Sequence, residues 1–173
     1  MELTQILPLE RWSEIEQGLF EKYNLQGSVF NTEGIRITKS KDWSNRLCPV
    51  IKSIEKGQSF ICAVAHMNMA NQAMQSKKYV IDDCDAGLLK LVVPIFFKNE
   101  YLGVIGGCGL LMDGGEVDSF AIHKIVDIDE AKVNTLSLNI PTISYKKACS
   151  ICHYLEEQLN SALKIYETPL GVE

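Results

Sequence analysis

The chain has no basic run, no apolar stretch long enough to span a bilayer, and no internal repeat or low-complexity segment. Without clustered Lys and Arg, and with a net charge of −5, it lacks the surface that binds nucleic acid directly. Met1-Glu2-Leu3-Thr4 shows no basic region leading into an apolar core and a small-residue cleavage site. The expectation is a cytoplasmic protein with no membrane partner, whose six cysteines are reduced or metal-bound rather than paired. Around Gly103, Gly106, Gly107 and Gly109 neither a G-x-G-x-x-G nor a Walker pattern is complete, which argues against a phosphate cradle. Those glycines are expected to let a strand pass close to a ligand or to another backbone. His66 and His123 stand alone, without a Ser or Cys that would make a nucleophilic dyad, so nothing points to an enzyme.

What is present is a set of cysteines. Cys48, Cys62, Cys84 and Cys108 each sit at the edge of a different apolar segment, too far apart for one turn or helix to unite them. Cys84 lies in Asp82-Asp83-Cys84-Asp85 and Cys108 in Gly106-Gly107-Cys108-Gly109. Glycine leaves room for a bulky group, and neighbouring carboxylates oppose a bare thiolate unless a cation reverses the balance. A metal or cluster is one reading, and four small buried hydrophobes is the other. Zinc usually shows paired C-x-x-C knuckles, whereas an iron–sulfur cluster can draw thiolates from scattered loops. Cys149-Ser150-Ile151-Cys152-His153 matches the haem-attachment pattern, but without an export signal and within an amphipathic helix it reads as coincidence. Asp82, Asp83 and Asp85 read as a solvated loop, and Met67, Met69 and Met74 as core filler.

At 173 residues the chain suits a single domain over 1–173. Pro8 opens a helix over 8–23 with Leu9, Trp12, Ile15, Leu19 and Phe20 at helical spacing. Two short strands are predicted over 27–39 around Asn31-Thr32-Glu33-Gly34, then a helix over 43–56 with Pro49 interrupting or starting a segment. A second helix covers 63–75, and a strand over 79–82 leads into Cys84. The runs 88–97 and 101–111, joined by Lys98-Asn99-Glu100, form a hairpin at the centre of a sheet. A short helix follows over 129–138, capped by Asp127 or Asp129. The last helix spans 144–166 with Ala148, Ile151, Leu155, Leu159, Ala162 and Tyr166 along one face. Strands and helices do not alternate regularly, so the predicted class is α+β: an antiparallel sheet with flanking helices and a long C-terminal helix.

The segment from Cys84-Asp85-Ala86-Gly87-Leu88 through Val93-Pro94-Ile95, with Tyr101-Leu102-Gly103-Val104-Ile105-Gly106-Gly107 after it, resembles the core of the PocR-type sensory domain. Leu47-Cys48 and Cys62 match too, and the resemblance covers roughly residues 9–165. It implies a PAS-like fold that senses a small molecule or redox signal and passes it to a partner such as a histidine kinase, cyclase or DNA-binding regulator. Many members share three of the cysteines but carry Gln where this chain has Cys108. The fourth cysteine makes the set sufficient for a tetrathiolate site. The expectation is therefore a sensory domain whose Cys48, Cys62, Cys84 and Cys108 hold a [4Fe–4S] cluster, or else zinc. The alternative is a PAS-like cavity for a small organic molecule, with the cysteines only packing. No output domain follows residue 166, which fits either a stand-alone sensor or part of a longer protein. The stripe on the last helix is expected either to cover its own sheet or to pair two copies as a homodimer.

Overall fold

The computed structural model describes residues 1–167; the short tail 168–173 lies outside them. Two helices open the chain, α1 (Leu3–Ile6) and α2 (Leu9–Tyr23), with Pro8 at the N-cap of α2. Strand β1 (Gln26–Asn31) follows, then α3 (Leu47–Ser53), α4 (Glu55–Gly57), a π-helical segment (Gln58–Ala63) and α5 (Val64–Ser76). After β2 (Val80–Asp83), strands β3 (Leu89–Phe97) and β4 (Glu100–Met112) form the hairpin expected from the sequence. Its turn places Lys98 and Asn99 at φ 47 and 68, the left-handed pair that matches the twist of a two-residue hairpin. Two helices, α6 (Ser119–Val126) and α7 (Glu130–Leu136), a short β5 (Thr142–Ile143) and the long α8 (Tyr145–Glu167) complete the chain.

The sheet runs β1-β4-β3-β2, all antiparallel, and β5 adds two parallel pairs to the end of β4. This is the α+β arrangement the element order implied, with β4 and β3 at its centre. Alternation along the strands gives it two faces. Leu91, Val93 and Ile95 of β3 and Ile105 of β4 join a core with Trp12 and Leu19 of α2 and Ile151, Leu155 and Leu159 of α8. Val92, Val104 and Phe30 point the other way, against Met69 and Ala73 of α5. A third cluster unites Leu47 and Ile51 of α3 with Leu88, Ile122 and Val133.

The α8 stripe therefore covers its own sheet: Ala148, Ile151, Leu155, Leu159 and Ala162 are all buried within the single chain. Tyr166 alone is half-exposed and meets Phe97 edge-on. Of the two expected strands over 27–39 only β1 forms; the return is an isolated bridge between Phe30 and Arg36. Glu16 explains this. Buried beside Gly27, it accepts from Arg36 Nη2 at 3.1 Å and from the hydroxyls of Thr38 and Ser40, which draws the return segment off the sheet. The helix expected over 43–56 starts only at Leu47 and breaks at Ile54, with Pro49 in the first turn, where its missing N–H costs nothing. The cap at Asp129 belongs to α7, while Asp127 instead closes α6 in the left-handed region. Helix α6, capped by Asp118 Oδ1 accepting from Ala121 N at 2.8 Å, had no counterpart in the sequence reading. Met69 is core, but Met67 is 59% exposed, at the edge of the cavity described below rather than in the core.

Candidate functional site

Four elements converge on the α5 face of the sheet, and each brings one cysteine. Cys48 lies in the first turn of α3, Cys62 in the π-helical segment, Cys84 in the turn after β2 and Cys108 on β4. All four line one cavity of about 150 Å³, together with Gln26, Ser28, Lys52, His66 and Lys90. Cys149 and Cys152 of α8 do not line it. Each approach has a local cause. Asn45 Oδ1 accepts from the backbone N–H of Leu47 and Cys48 at 2.9 and 2.8 Å, which fixes the start of α3. The same side chain donates through Nδ2 to Cys48 Sγ at 3.2 Å and to Gly109 O at 2.6 Å, tying α3 to β4 beside Cys108. Ser44 Oγ donates to Cys108 O at 3.3 Å. Only glycine suits position 109: its φ is +105, and a Cβ there would come within 2.9 Å of Ser44 Cβ.

Cys84 sits in a closed turn, its N–H donating to Leu88 O at 2.9 Å and its C=O accepting from Gly87 N at 2.7 Å. Cys62 is carried by a π-helical stretch, a geometry that is rare and concentrates at functional sites. The paired glycines answer the expectation for them in one way: a Cβ on Gly106 would lie 2.0 Å from Leu91 O, so this stretch of β4 is pressed against the β3 backbone.

The thiols sense one another. Burial raises the pKa of Cys48, and charge on Cys108, Cys84 and Cys62 raises it further, against the hydrogen bond from Asn45. Cys62 is pushed up to about 11, by burial first, with Lys52 opposing. Burial also raises Cys84, while the backbone N–H groups of Ala86 and Leu88 pull it down. For Cys48, Cys62 and Cys84 burial thus favours the neutral thiol. Among the described residues no group of three or more His, Cys, Asp or Glu lies close enough to hold a metal ion.

Three cavity residues carried no functional reading in the sequence. His66 stacks on Phe30 with ring centroids 3.7 Å apart, and burial, then Lys90 and Lys52, drive its pKa down to about 3. Gln26 and Lys90 flank Cys108 across the sheet, one on each neighbouring strand. Lys90 was the only one with a sequence signal, a single charge inside the apolar run of β3. His123, by contrast, is structural: its Nδ1 sits 2.9 Å from Ile128 O. Asp82, Asp83 and Asp85 are exposed, as a solvated loop should be.

No helix among the described residues is long and apolar enough to cross a membrane. No curated protein and no solved structure matches the chain. The family model described as the sensory domain found in PocR matches residues 5–166. With nearly the whole chain matched, and with the sheet and cavity built from the same segments, the chain belongs to the PocR sensory-domain family.

Proposed function

We propose that this domain is a cytoplasmic sensor whose cavity carries a [4Fe–4S] cluster on Cys48, Cys62, Cys84 and Cys108. The observation that supports it is the convergence of four cysteines, from four separate elements, on one cavity. The donor set fits a cluster better than zinc. A tetrahedral zinc site draws its sulfurs to within about 4 Å of one another, given Zn–S bonds of about 2.3 Å. The cysteines here come singly, from four separate elements, rather than in paired knuckles. An iron–sulfur cluster would be held by four such thiolates drawn from scattered segments. Lys52 and Lys90 on the wall suit the dianion that four thiolates make of an oxidised cluster. Such a cluster supplies one-electron chemistry and sensitivity to oxidants, the input a redox sensor passes to a kinase or regulator partner.

The test compares two variants. Cys108→Ser should lose iron on anaerobic gel filtration, because serine oxygen is a poor ligand for soft iron. Cys152→Ser should keep it, since that sulfur lies in the α8 core. Equal iron loss in both contradicts the assignment. A second reading, a small organic ligand with the cysteines as packing groups, is favoured by the unpartnered hydrogen-bonding atoms of Gln26 and His66 on the same wall. Iron-free native protein whose melting temperature rises with an added polar small molecule would support that reading.

A further inference from the structure

Between and beside the four cysteines the cavity wall holds Gln26 and His66, whose buried polar atoms lack partners among the described residues, and the side chain of Lys90. Gln26 and His66 are only 3% and 5% exposed, yet Gln26 Oε1 and both ring nitrogens of His66 have no hydrogen-bond partner. Lys90 is 8% exposed and makes no hydrogen bond or ion pair with a described residue. Its cross-strand neighbour Asp82 is exposed and forms no ion pair with it. A buried polar atom left without a partner destabilises the fold. A fold tolerates such groups together where a bound species offsets them.

Their placement says which species. The register sets Gln26, Cys108 and Lys90 side by side across β1, β4 and β3, so the cysteine stands between an amide and an ammonium. His66 follows Cys62 by one helical turn, and both line the cavity. The polar groups therefore interleave with the sulfurs, and whatever the sulfurs hold lies against them. Lys90 offers a cation, a neutral His66 offers one N–H, and a half-turn of the Gln26 amide exchanges its oxygen for an N–H donor.

We propose that Lys90, Gln26 and His66 are the counter-wall of the four-cysteine centre, giving its sulfurs positive charge and hydrogen bonds and so raising its reduction potential. This rests on the cluster reading above. Reduction adds one electron to the centre and breaks no bond; the added negative charge is met by groups already in place, so the reduced form gains more than the oxidised one.

The test is an anaerobic potentiometric titration with dithionite as the electron donor, followed by visible absorption, with iron and sulfide assayed on the same samples. Lys90→Met should keep its iron and titrate at a more negative midpoint than the native chain. Lys90→Arg should restore the midpoint, and Gln26→Leu and His66→Phe should give smaller shifts of the same sign. Iron lost from Lys90→Met but kept by Lys90→Arg also supports the counter-charge. A fully loaded Lys90→Met with the native midpoint overturns the proposal, as does iron loss from both variants when circular dichroism shows them folded. If Lys90→Met does not fold, unchanged midpoints in both Gln26→Leu and His66→Phe overturn it. Failure of the cluster reading shows earlier and separately, as native protein without iron or sulfide, and it removes the proposal too.

Discussion

The two faces of the sheet are built on opposite principles. Under α2 and α8 the core is apolar and closed: Trp12, Leu19, Ile105, Ile151 and Leu155 have no measurable exposure, and Trp12 Nε1 finds Leu3 O at 3.1 Å. Under α3, the π-helical segment and α5, the same strands turn Lys90, Cys108, Gln26 and Ser28 into a cavity with unsatisfied polar atoms. One face contributes stability. The other gives up stability to keep a chemically equipped space, as binding sites commonly do.

Substitutions should separate the faces, and the closed one should suffer most. Leu155→Glu places an unpaired charge in the α8 core and should unfold the chain, read as loss of cooperative melting. A folded, soluble Leu155→Glu protein would show that α8 is not part of the core. Ile151→Ala should cost about 2–5 kcal/mol in chemical denaturation. Gln26→Leu, on the cavity face of the metal-free chain, should be neutral or stabilising by about 1–2 kcal/mol, because it removes a buried acceptor with no partner. A loss as large as that for Ile151→Ala would erase the contrast between the faces.

The last effect appears only at acid pH. His66 titrates near 6.5 when unfolded and at about 3 in the fold, so between those values the unfolded chain binds the extra proton. Its contribution to stability is present above pH 6.5 and is lost as pH falls towards 3. The metal-free His66→Leu variant should lack that loss. Its stability advantage over the native chain should widen below pH 6.5, measured by denaturant midpoints across the range. Parallel curves would mean that the fold does not depress the His66 pKa.

The contrast between faces also explains what could be read from the sequence. Elements with their own periodicity were legible: α2, α8 and the β3–β4 hairpin each advertise an apolar pattern that the structure keeps. The cysteines were legible as a set but not all as edge residues: Cys48 and Cys84 lie at segment ends, whereas Cys108 lies inside β4 between Gln26 and Lys90. The π-helical turn was not legible, because Gln58–Ala63 carries no composition that distinguishes it from a helix start. The polar wall was not legible either. Gln26 and Lys90 reach Cys108 only through strand register, and neither residue's neighbours in sequence announce the pairing. His66 read as a lone structural histidine because the signal that matters, two buried ring nitrogens without partners, exists only once α5 is laid on the sheet. The expected second strand after Asn31 failed because Glu16, distant in sequence, holds Arg36, Thr38 and Ser40.

The central claim is that the open face exists to hold a cluster. It is tested most directly by purifying the chain without oxygen and measuring iron and acid-labile sulfide per protein, beside a variant with Cys48, Cys62, Cys84 and Cys108 all changed to serine. The account predicts a brown native protein with iron and sulfide in equal amounts approaching the content of one cubane, and a colourless, folded variant with neither. A colourless native protein, or iron and sulfide that persist in the four-serine variant, would contradict it.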